Sequence, residues 1–374
     1  MKSVYITVVT DLVCDARVHR TSLTLSKADA DVTLIGRRLK NSPEPEKQNY
    51  KLKRFRLLAN RGFLFYLCYN VRVFLYLVTR KKIDILVACD LDTLPANYMT
   101  SLFRKCVLVF DSHEYFTELP ELKSNRIARG VWNLLERLLF PRLKIAYTVS
   151  NMIADEYNKK YGLKFDVIRN LPLTTMEPEE YVLPKQFDGM KKIIYQGSVN
   201  IARGIELMKE VVDMMDNVAF IIAGHGDIYP YLLKKWENEI QSGKIYFTGR
   251  LPAGKLKSLT KQADIGISLE EDLGKNYRYA LPNKLFDYIQ AKIPVLVSDL
   301  PEMRKVVEEY GLGLVAVSRD PVKIRKQVEF MLTDDAAKKN WKKQLDKAAT
   351  ELNWENEETK LIKIFSEAGL TFPG

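Results

Sequence analysis

Short apolar runs alternate along the whole chain with stretches whose apolar residues recur at helical spacing. In the first half the runs are "SVYITVVT", "DVTLIGR", "DILVACD", "VLVFDS", "IAYTVS" and "FDVIRN". The pattern then restarts with "KIIYQGS", "VAFIIAG", "KIYFTG", "ADIGISL", "PVLVSD" and "GLVAVS". Near-continuous apolar strands separated by helices belong to parallel sheets covered on both faces. Two consecutive series therefore predict an α/β protein of two doubly wound domains. The break falls in "PLTTMEPEEYVLPKQFDGM", which has three prolines and little periodicity. The expected division is 1–172, a linker over 173–190, 191–350, and a charged helical tail over 351–374 that packs back towards the first domain. In open α/β sheets the ligand lies at the carboxyl ends of the strands. Two such domains facing a central cleft would suit a ligand with two halves.

Composition changes this picture little. At 374 residues, 47% hydrophobic and 28% charged, the chain is globular. The opening "MKSVYITVVTDLV" reads as a strand and lacks a signal-peptide cleavage site. Cys14, Cys68, Cys89 and Cys106 show no C-x-x-C spacing, which points to free thiols and a reducing, cytoplasmic setting. His19, His113 and His225 are scattered, which argues against a histidine-rich metal site. Charge is more informative. The net charge is +11, and residues 37–82 carry 13 Lys and Arg against Glu44 and Glu46, the whole of the excess. This segment contains "FLFYLCYNVRVFLYLVT", too short and too interrupted by Asn70 and Arg72 to span a bilayer. It reads as a core helix with basic ends whose other face suits an anionic membrane surface. No motif for nucleic acid accompanies the charge.

Three stretches carry candidate chemistry. "IIYQGSVNIARGIELMKEV" is strand, glycine turn, helix: Gly197 lets backbone amides approach an anion, and Arg203 before Gly204 can grip a diphosphate bidentately. "AFIIAGHGD" repeats the turn at Gly224 and Gly226. In "YALPNKLFDYIQAKIPVLVSD", with Pro282 as the first helical residue, Asn283, Lys284 and Asp287 interrupt an apolar helix at its start. Lys284 there opposes the helix dipole, so a bound anion is the functional explanation; a Lys284–Asp287 surface ion pair is the bland one. Asp90 and Asp92 in "CDLDTL" mimic an acid-x-acid metal motif, and Arg17 and Arg20 follow the first strand.

Taken together, "GSVNIARGIEL", "VAFIIAGHGD", "IYFTGRLPAGKLKSLTKQADIGISL" and "LPNKLFDYIQAKIPVLVSDLPE" resemble the donor-binding half of group-one (family 4) glycosyltransferases. They are most similar to the bacterial subgroup with a PNKLF(E/D)Y signature. "VTDLVCDARVHRTSLTL", "ACDLDTLPANYMTSLF", "VFDSHEYFTELPEL" and "YTVSNMIADEYNKKYG" follow the family's order in the amino half, and "WENEE" matches its final helix. The resemblance implies the GT-B fold, two Rossmann-like domains with a nucleotide-sugar held mainly by the second. It implies that Gly197 faces the donor phosphates, that Arg203 binds them, and that Asp287 takes the ribose hydroxyls. His113, flanked by Asp111 and Glu114, would contact the donor sugar, and backbone near Gly249–Leu251 the base. Two departures stand out. Ser198 replaces a frequent arginine, leaving Lys284 or Arg278 to supply that charge. Tyr279 falls where many members carry the first of two glutamates, leaving Glu270 or Glu271 to approach the sugar from the loop "EEDLGKNYRYA", which could close over donor.

The implied activity is retaining transfer of a sugar from a UDP- or GDP-sugar to a hydroxyl of a glycan or lipid-linked acceptor, as in bacterial surface polysaccharide synthesis. The catalytic set would be His113, Arg203 and Lys284, with no metal and no cofactor beyond the donor substrate. The donor-binding set would be Gly197, Ser198, Arg203, Asn283, Lys284, Asp287, Glu271 and Tyr279. The competing readings are a nucleotide-sugar epimerase, for which three histidines offer few acid–base groups, and an inactive subunit that binds nucleotide-sugar or membrane. A dehydrogenase is disfavoured because no G-x-G-x-x-G follows the first strand.

Overall fold

The computed structural model describes every residue except Cys14, Glu46, Ser124, Met176 and Gly374. The chain divides into two compact units, Met1–Arg169 with Glu357–Gly374, and Asn170–Asn356.

The first unit is built on seven parallel strands: β1 (Lys2–Thr7), β2 (Ala30–Arg37), β3 (Lys51–Phe55), β4 (Ile85–Cys89), β5 (Val107–Ser112), β6 (Ile145–Thr148) and β7 (Phe165–Val167). Their order is β3-β2-β1-β4-β5-β6-β7. β4 is buried at every position, as a central parallel strand must be. β3, "KLKRF", was not among the expected strands. It is the edge strand, with charged residues alternating outward, and such charge protects an edge from further pairing. Right-handed crossovers assign the helices to faces. The steps β3→β4, β4→β5 and β5→β6 run one way across the sheet. They carry the helices Gly62–Val78, Leu94–Arg104 and Arg126–Leu139 onto one face. β1→β2 runs the other way and puts Ala16–Ser26 opposite. The carboxyl-terminal stretch returns to this unit: Glu358 accepts from Thr24 and Lys27, and Asp29 N–H donates to the Thr371 carbonyl.

The second unit holds β8 (Lys191–Gln196), β9 (Val218–Ala223), β10 (Ile245–Gly249), β11 (Ile265–Ser268), β12 (Val295–Ser298) and β13 (Gly313–Ala316). Again all are parallel, in the order β10-β9-β8-β11-β12-β13. The stretch expected as a linker is part of this unit, because Leu183 and Phe187 are buried in its core. A proline-rich segment with little periodicity can still bury its few apolar side chains. Pro282 is the cap of the Asn283–Ala291 helix rather than its first residue, and the cap carries no side-chain hydrogen bond.

Candidate active site

At the carboxyl edge of the second unit's sheet, glycine turns pack against one another. Gly197 follows β8 with φ +128° and Gly224 follows β9 with φ +151°. A Cβ on Gly224 would lie 1.8 Å from the Gly197 carbonyl oxygen, and one on Gly204 2.4 Å from the Leu269 carbonyl oxygen. Only glycine permits that approach. The Ile205–Asp213 helix then starts from Gly204 with no side-chain cap, so the cap residue satisfies none of its first N–H groups.

The start of the Asn283–Ala291 helix meets the same turn. The Lys284 Nζ lies 4.3 Å from the Tyr195 ring centroid and donates to Glu270 Oε1 at 2.6 Å. Ser268 Oγ donates to the other carboxylate oxygen at 2.7 Å. Both partners are buried. Burial pulls the Lys284 pKa down, but the Glu270 charge overcomes it and leaves the ammonium above its ordinary value. Burial likewise pushes Glu270 up, and Lys284 brings it below the usual carboxylate range. The pair is ionised, and Lys284 is committed to Glu270 rather than to Asp287.

Asp287 instead accepts from Gln196 Nε2 at 2.8 Å, and Gln196 Oε1 accepts from Thr260 at 2.7 Å. The next residue, Tyr288, is fully buried. Its hydroxyl accepts from Gln196 N–H and donates to the Ile267 carbonyl, both at 3.1 Å. Gly266 in β11 makes room, since a Cβ there would come 2.4 Å from the Tyr288 ring. One helix start is thus anchored to β8 through Asp287 and Tyr288 and to the end of β11 through Lys284. Arg203 differs from all of these. It is half-buried over Tyr277, 5.1 Å to the ring centroid, and its Nε is buried without a hydrogen-bond partner among the described residues. Its charge bears on both Glu270 and Lys284.

The other expected residues scatter. Ser198 is exposed, with its carbonyl accepting from Tyr195 Oη at 2.6 Å. Asn283 Oδ1 accepts from Asn170 at 2.7 Å. Glu271 pairs with Arg319 at 3.1 Å, away from Lys284. Tyr279 is buried beyond the Lys275–Arg278 turn. Arg278 pairs with Asp272 at 2.7 Å, so it is Lys284, not Arg278, that stands beside Gly197. Gln196, Tyr195 and Tyr288 have no role in the sequence analysis, and Glu270, expected there as a candidate for the sugar, is instead the partner of Lys284.

His113 belongs to the first unit, in a second cluster at the ends of β4 and β5. Arg17 is buried there. Its Nε and Nη2 donate to Asp111, Nη2 at 2.7 Å, and Nη1 donates to the Ile168 carbonyl. Asp111, fully buried, meets His113 Nε2 at 3.1 Å, and Asp90 faces His113 Nδ1 at 3.4 Å while accepting from its N–H at 2.7 Å. Burial would depress the His113 pKa, but Asp111 and Asp90 drive it well above 6.5. Burial would raise Asp111, yet Arg17 and His113 hold it far below the usual range. With carboxylates on both ring nitrogens, His113 is an imidazolium with no lone pair, so it is no general base. Asp92 is buried with Oδ1 unpartnered, and burial raises its pKa well above 3.8. Among the described residues, one group offers metal-ligand spacing, Cys89, Asp111 and His113, with donor atoms within 4.8 Å. Arg17 already occupies Asp111, and burial pushes the Cys89 thiol up to about 12. The group holds protons and a guanidinium as it stands. Cys68, Cys89 and Cys106 are free thiols; Cys14 lies outside the described residues.

Comparison with known proteins bears on both units. The model of glycosyl transferases group 1 matches residues 183–348, and that of glycosyltransferase family 4 matches residues 16–172. The chain belongs to the group-one glycosyltransferases. An uncharacterized glycosyltransferase of Methanocaldococcus jannaschii is 21% identical over 276 residues, 70% of this chain and 69% of that one. Among solved structures, sucrose-phosphate synthase of Thermosynechococcus elongatus aligns with a TM-score of 0.77 at 13% identity, over 98% of this chain and 99% of that one. Anabaena HepE in complex with UDP-glucose aligns at 0.73 and 12%, over 98% and 100%. At these identities the structural matches establish the fold, and this glycosyltransferase has the GT-B architecture of two parallel-sheet Rossmann-like domains. Among the described residues of the transferase no helix is long and apolar enough to cross a membrane.

Proposed function

We propose that this glycosyltransferase moves a sugar, with retention of configuration, from a nucleotide-sugar to a hydroxyl of a glycan or lipid-linked acceptor in bacterial surface polysaccharide synthesis. The observation that carries the donor half is Arg203. It is a cation with an unsatisfied buried nitrogen, beside glycine turns and an uncapped helix start. Such an arrangement favours a diphosphate. Lys284, neutralised by Glu270, orders that edge, and Asp287, held by Gln196, takes the ribose hydroxyls. The uridine nucleotide is favoured because Anabaena HepE is described in complex with UDP and UDP-glucose. His113, as an imidazolium, serves to orient the donor sugar.

Glycosyl transfer passes through an oxocarbenium-like state, so stabilising the departing diphosphate is the main demand. Arg203 and the helix amides meet it without metal or further cofactor. With Tyr279 buried and Glu270 paired, no carboxylate serves as covalent nucleophile. The leaving phosphate then assists deprotonation of the acceptor on the same face. The enzyme works in the cytoplasm, where nucleotide-sugars are the donors, with a lipid-linked acceptor held at the inner membrane face and the basic 37–82 segment turned to the lipid.

Calorimetric titration with UDP and GDP in EDTA tests the reading. Expected is binding of one of them that Asp287→Ala weakens at least tenfold, together with transfer of labelled sugar from the matching donor. Absence of binding to both nucleotides would overturn the donor assignment.

A further inference from the structure

Three helices share one face of the first unit's sheet, and each turns an apolar stripe outward. On Gly62–Val78, Phe65, Tyr69, Val73 and Leu77 are buried, while Leu64, Leu67, Val71 and Leu75 on the opposite side are exposed. On Arg126–Leu139, Ile127, Val131, Leu134 and Leu138 recur at helical spacing and are all exposed, Ile127 to 83%. On Leu94–Arg104 the exposed residues are Met99, Leu102 and Phe103. The helices touch. Phe74 and Phe103 rings lie 5.8 Å apart, Tyr66 and Trp132 rings 5.0 Å apart. The stripes therefore lie side by side, and an apolar area of that extent marks an interaction surface rather than scattered surface residues.

Charge identifies the occupant. The three helices carry Arg72, Arg104, Arg126, Arg129 and Arg137, and a single acid, Glu136. Glu136 is fully buried, taken by Lys160, Tyr161 and Thr117. Arg61, Lys81, Lys82 and Lys105 extend the basic rim at the helix ends and are exposed. Arg129 is paired with Glu118, and Arg104 donates to the Val78, Arg80 and Lys81 carbonyls. The exposed charges of these three helices are therefore Arg72, Arg126 and Arg137, all cations, and a twofold partner laid on them would bring arginine to arginine. A broad apolar surface rimmed by arginine and lysine fits acyl chains below and anionic headgroups around it.

From this geometry we infer that the face of Gly62–Val78, Leu94–Arg104 and Arg126–Leu139 docks the enzyme on an anionic lipid bilayer. The surface takes from the basic 37–82 segment read from sequence only the Gly62–Val78 helix and its ends. β3 and its flanks are an edge of the sheet, while the Arg126–Leu139 helix, outside that segment, supplies one whole stripe. The inference rests on the proposed lipid-linked acceptor for its purpose, not for its geometry. It also has a consequence for the site. Asn70, on the lipid-facing helix, donates to the Asp92 carbonyl at 2.7 Å and accepts from Ala96 N–H at 3.0 Å. The docked helix is thereby fastened to the turn that carries Asp90 and, through it, His113.

The test is flotation of the full chain with vesicles of phosphatidylcholine alone and of phosphatidylglycerol mixed with phosphatidylcholine. Wild type is expected to float with the anionic vesicles, less so as salt rises, and not with the neutral ones. Leu67→Gln with Leu134→Gln should weaken binding at least about tenfold, since each removes an apolar side chain from lipid. Arg72→Gln with Arg126→Gln should cost about fivefold per charge. Cooperative urea unfolding at the wild-type midpoint, and unchanged UDP titration, show that these variants are folded and keep the donor site. No flotation at low salt, equal flotation with neutral vesicles, or a dimer that Leu134→Gln dissociates would each overturn the inference. If flotation fails while UDP binding persists, the docking surface is wrong and the donor assignment stands. If UDP binding fails while flotation persists, the reverse holds.

Discussion

The two units place clusters of charge at the same edge of similar sheets, and the clusters differ in what they leave over. In the first unit Arg17, Asp111, His113 and Asp90 satisfy one another: each His113 nitrogen faces a carboxylate, and Arg17 spends both edges of its guanidinium on Asp111 and Ile168. In the second, Lys284 and Glu270 cancel, but Arg203 and an uncapped helix start remain. A diphosphate is drawn to a cluster with uncommitted positive charge, and of the two it is the second that offers it. The largest effect should come from unbalancing the second cluster. Glu270→Ala leaves the Lys284 ammonium buried without its partner, and loss of about 3–5 kcal/mol of stability is expected by urea denaturation. Adding Lys284→Met should recover most of it. If Glu270→Ala alone is neutral, the pair is not the anchor of that helix start.

A smaller effect separates the units by pH. His113 has its folded pKa raised, so its contribution is complete below its unfolded value of about 6.5 and is lost as pH rises through the folded pKa. Asp111 is depressed, so its contribution is present above about 3.9 and lost only as pH falls through the folded value. In the second unit Lys284 is raised and Glu270 lowered, each away from neutrality. Between about pH 6 and pH 9 the first unit should therefore weaken, by at most about 1.4 kcal/mol per pH unit from His113, while the second stays flat. Hydrogen exchange resolved by unit measures both slopes, and His113→Gln should flatten the first. A slope that survives His113→Gln would have to come from another group, such as the buried Asp92.

Much of the fold was legible because parallel strands buried on both faces are apolar runs, as in "ILVAC" of β4 or "VAFIIA" of β9. β3 escaped because an edge strand is allowed to be charged. Within the candidate site, Lys284 and Asp287 were visible as polar interruptions at the start of an apolar helix, and Arg203 as a cation beside a glycine turn. Their partners were not. Gln196 sits at a strand end 91 residues before Asp287, and Glu270, 14 residues before Lys284, stands next to an identical acid, so nothing local says which one will meet Lys284. A clue was present in Gly266, a glycine inside a β-run, whose missing side chain is the space Tyr288 fills. The Arg126–Leu139 stripe also went unread, since exposed and buried apolar faces have the same spacing, and only packing tells which turns inward.

The smallest effect concerns the acid beside Glu270. Glu271 is chemically identical and adjacent, yet it lies 43% exposed against Arg319, itself 42% exposed, at 3.1 Å. An exposed pair contributes about 0–1 kcal/mol, so Glu271→Ala should barely move the urea midpoint that Glu270→Ala shifts strongly. Its main chain is nonetheless fixed, with the N–H donating to the Ala202 carbonyl at 2.9 Å, next to Arg203. A carboxylate on that tether is free to leave Arg319 for a sugar hydroxyl, whereas Glu270 could do so only by stranding Lys284. Donor titration therefore divides the two roles. Weaker binding of the nucleotide-sugar by Glu271→Ala, with free nucleotide bound as in wild type, would assign Glu271 to the sugar. Unchanged binding of both would leave it a tether for Arg319 and narrow the site to Arg203, Lys284 and Asp287.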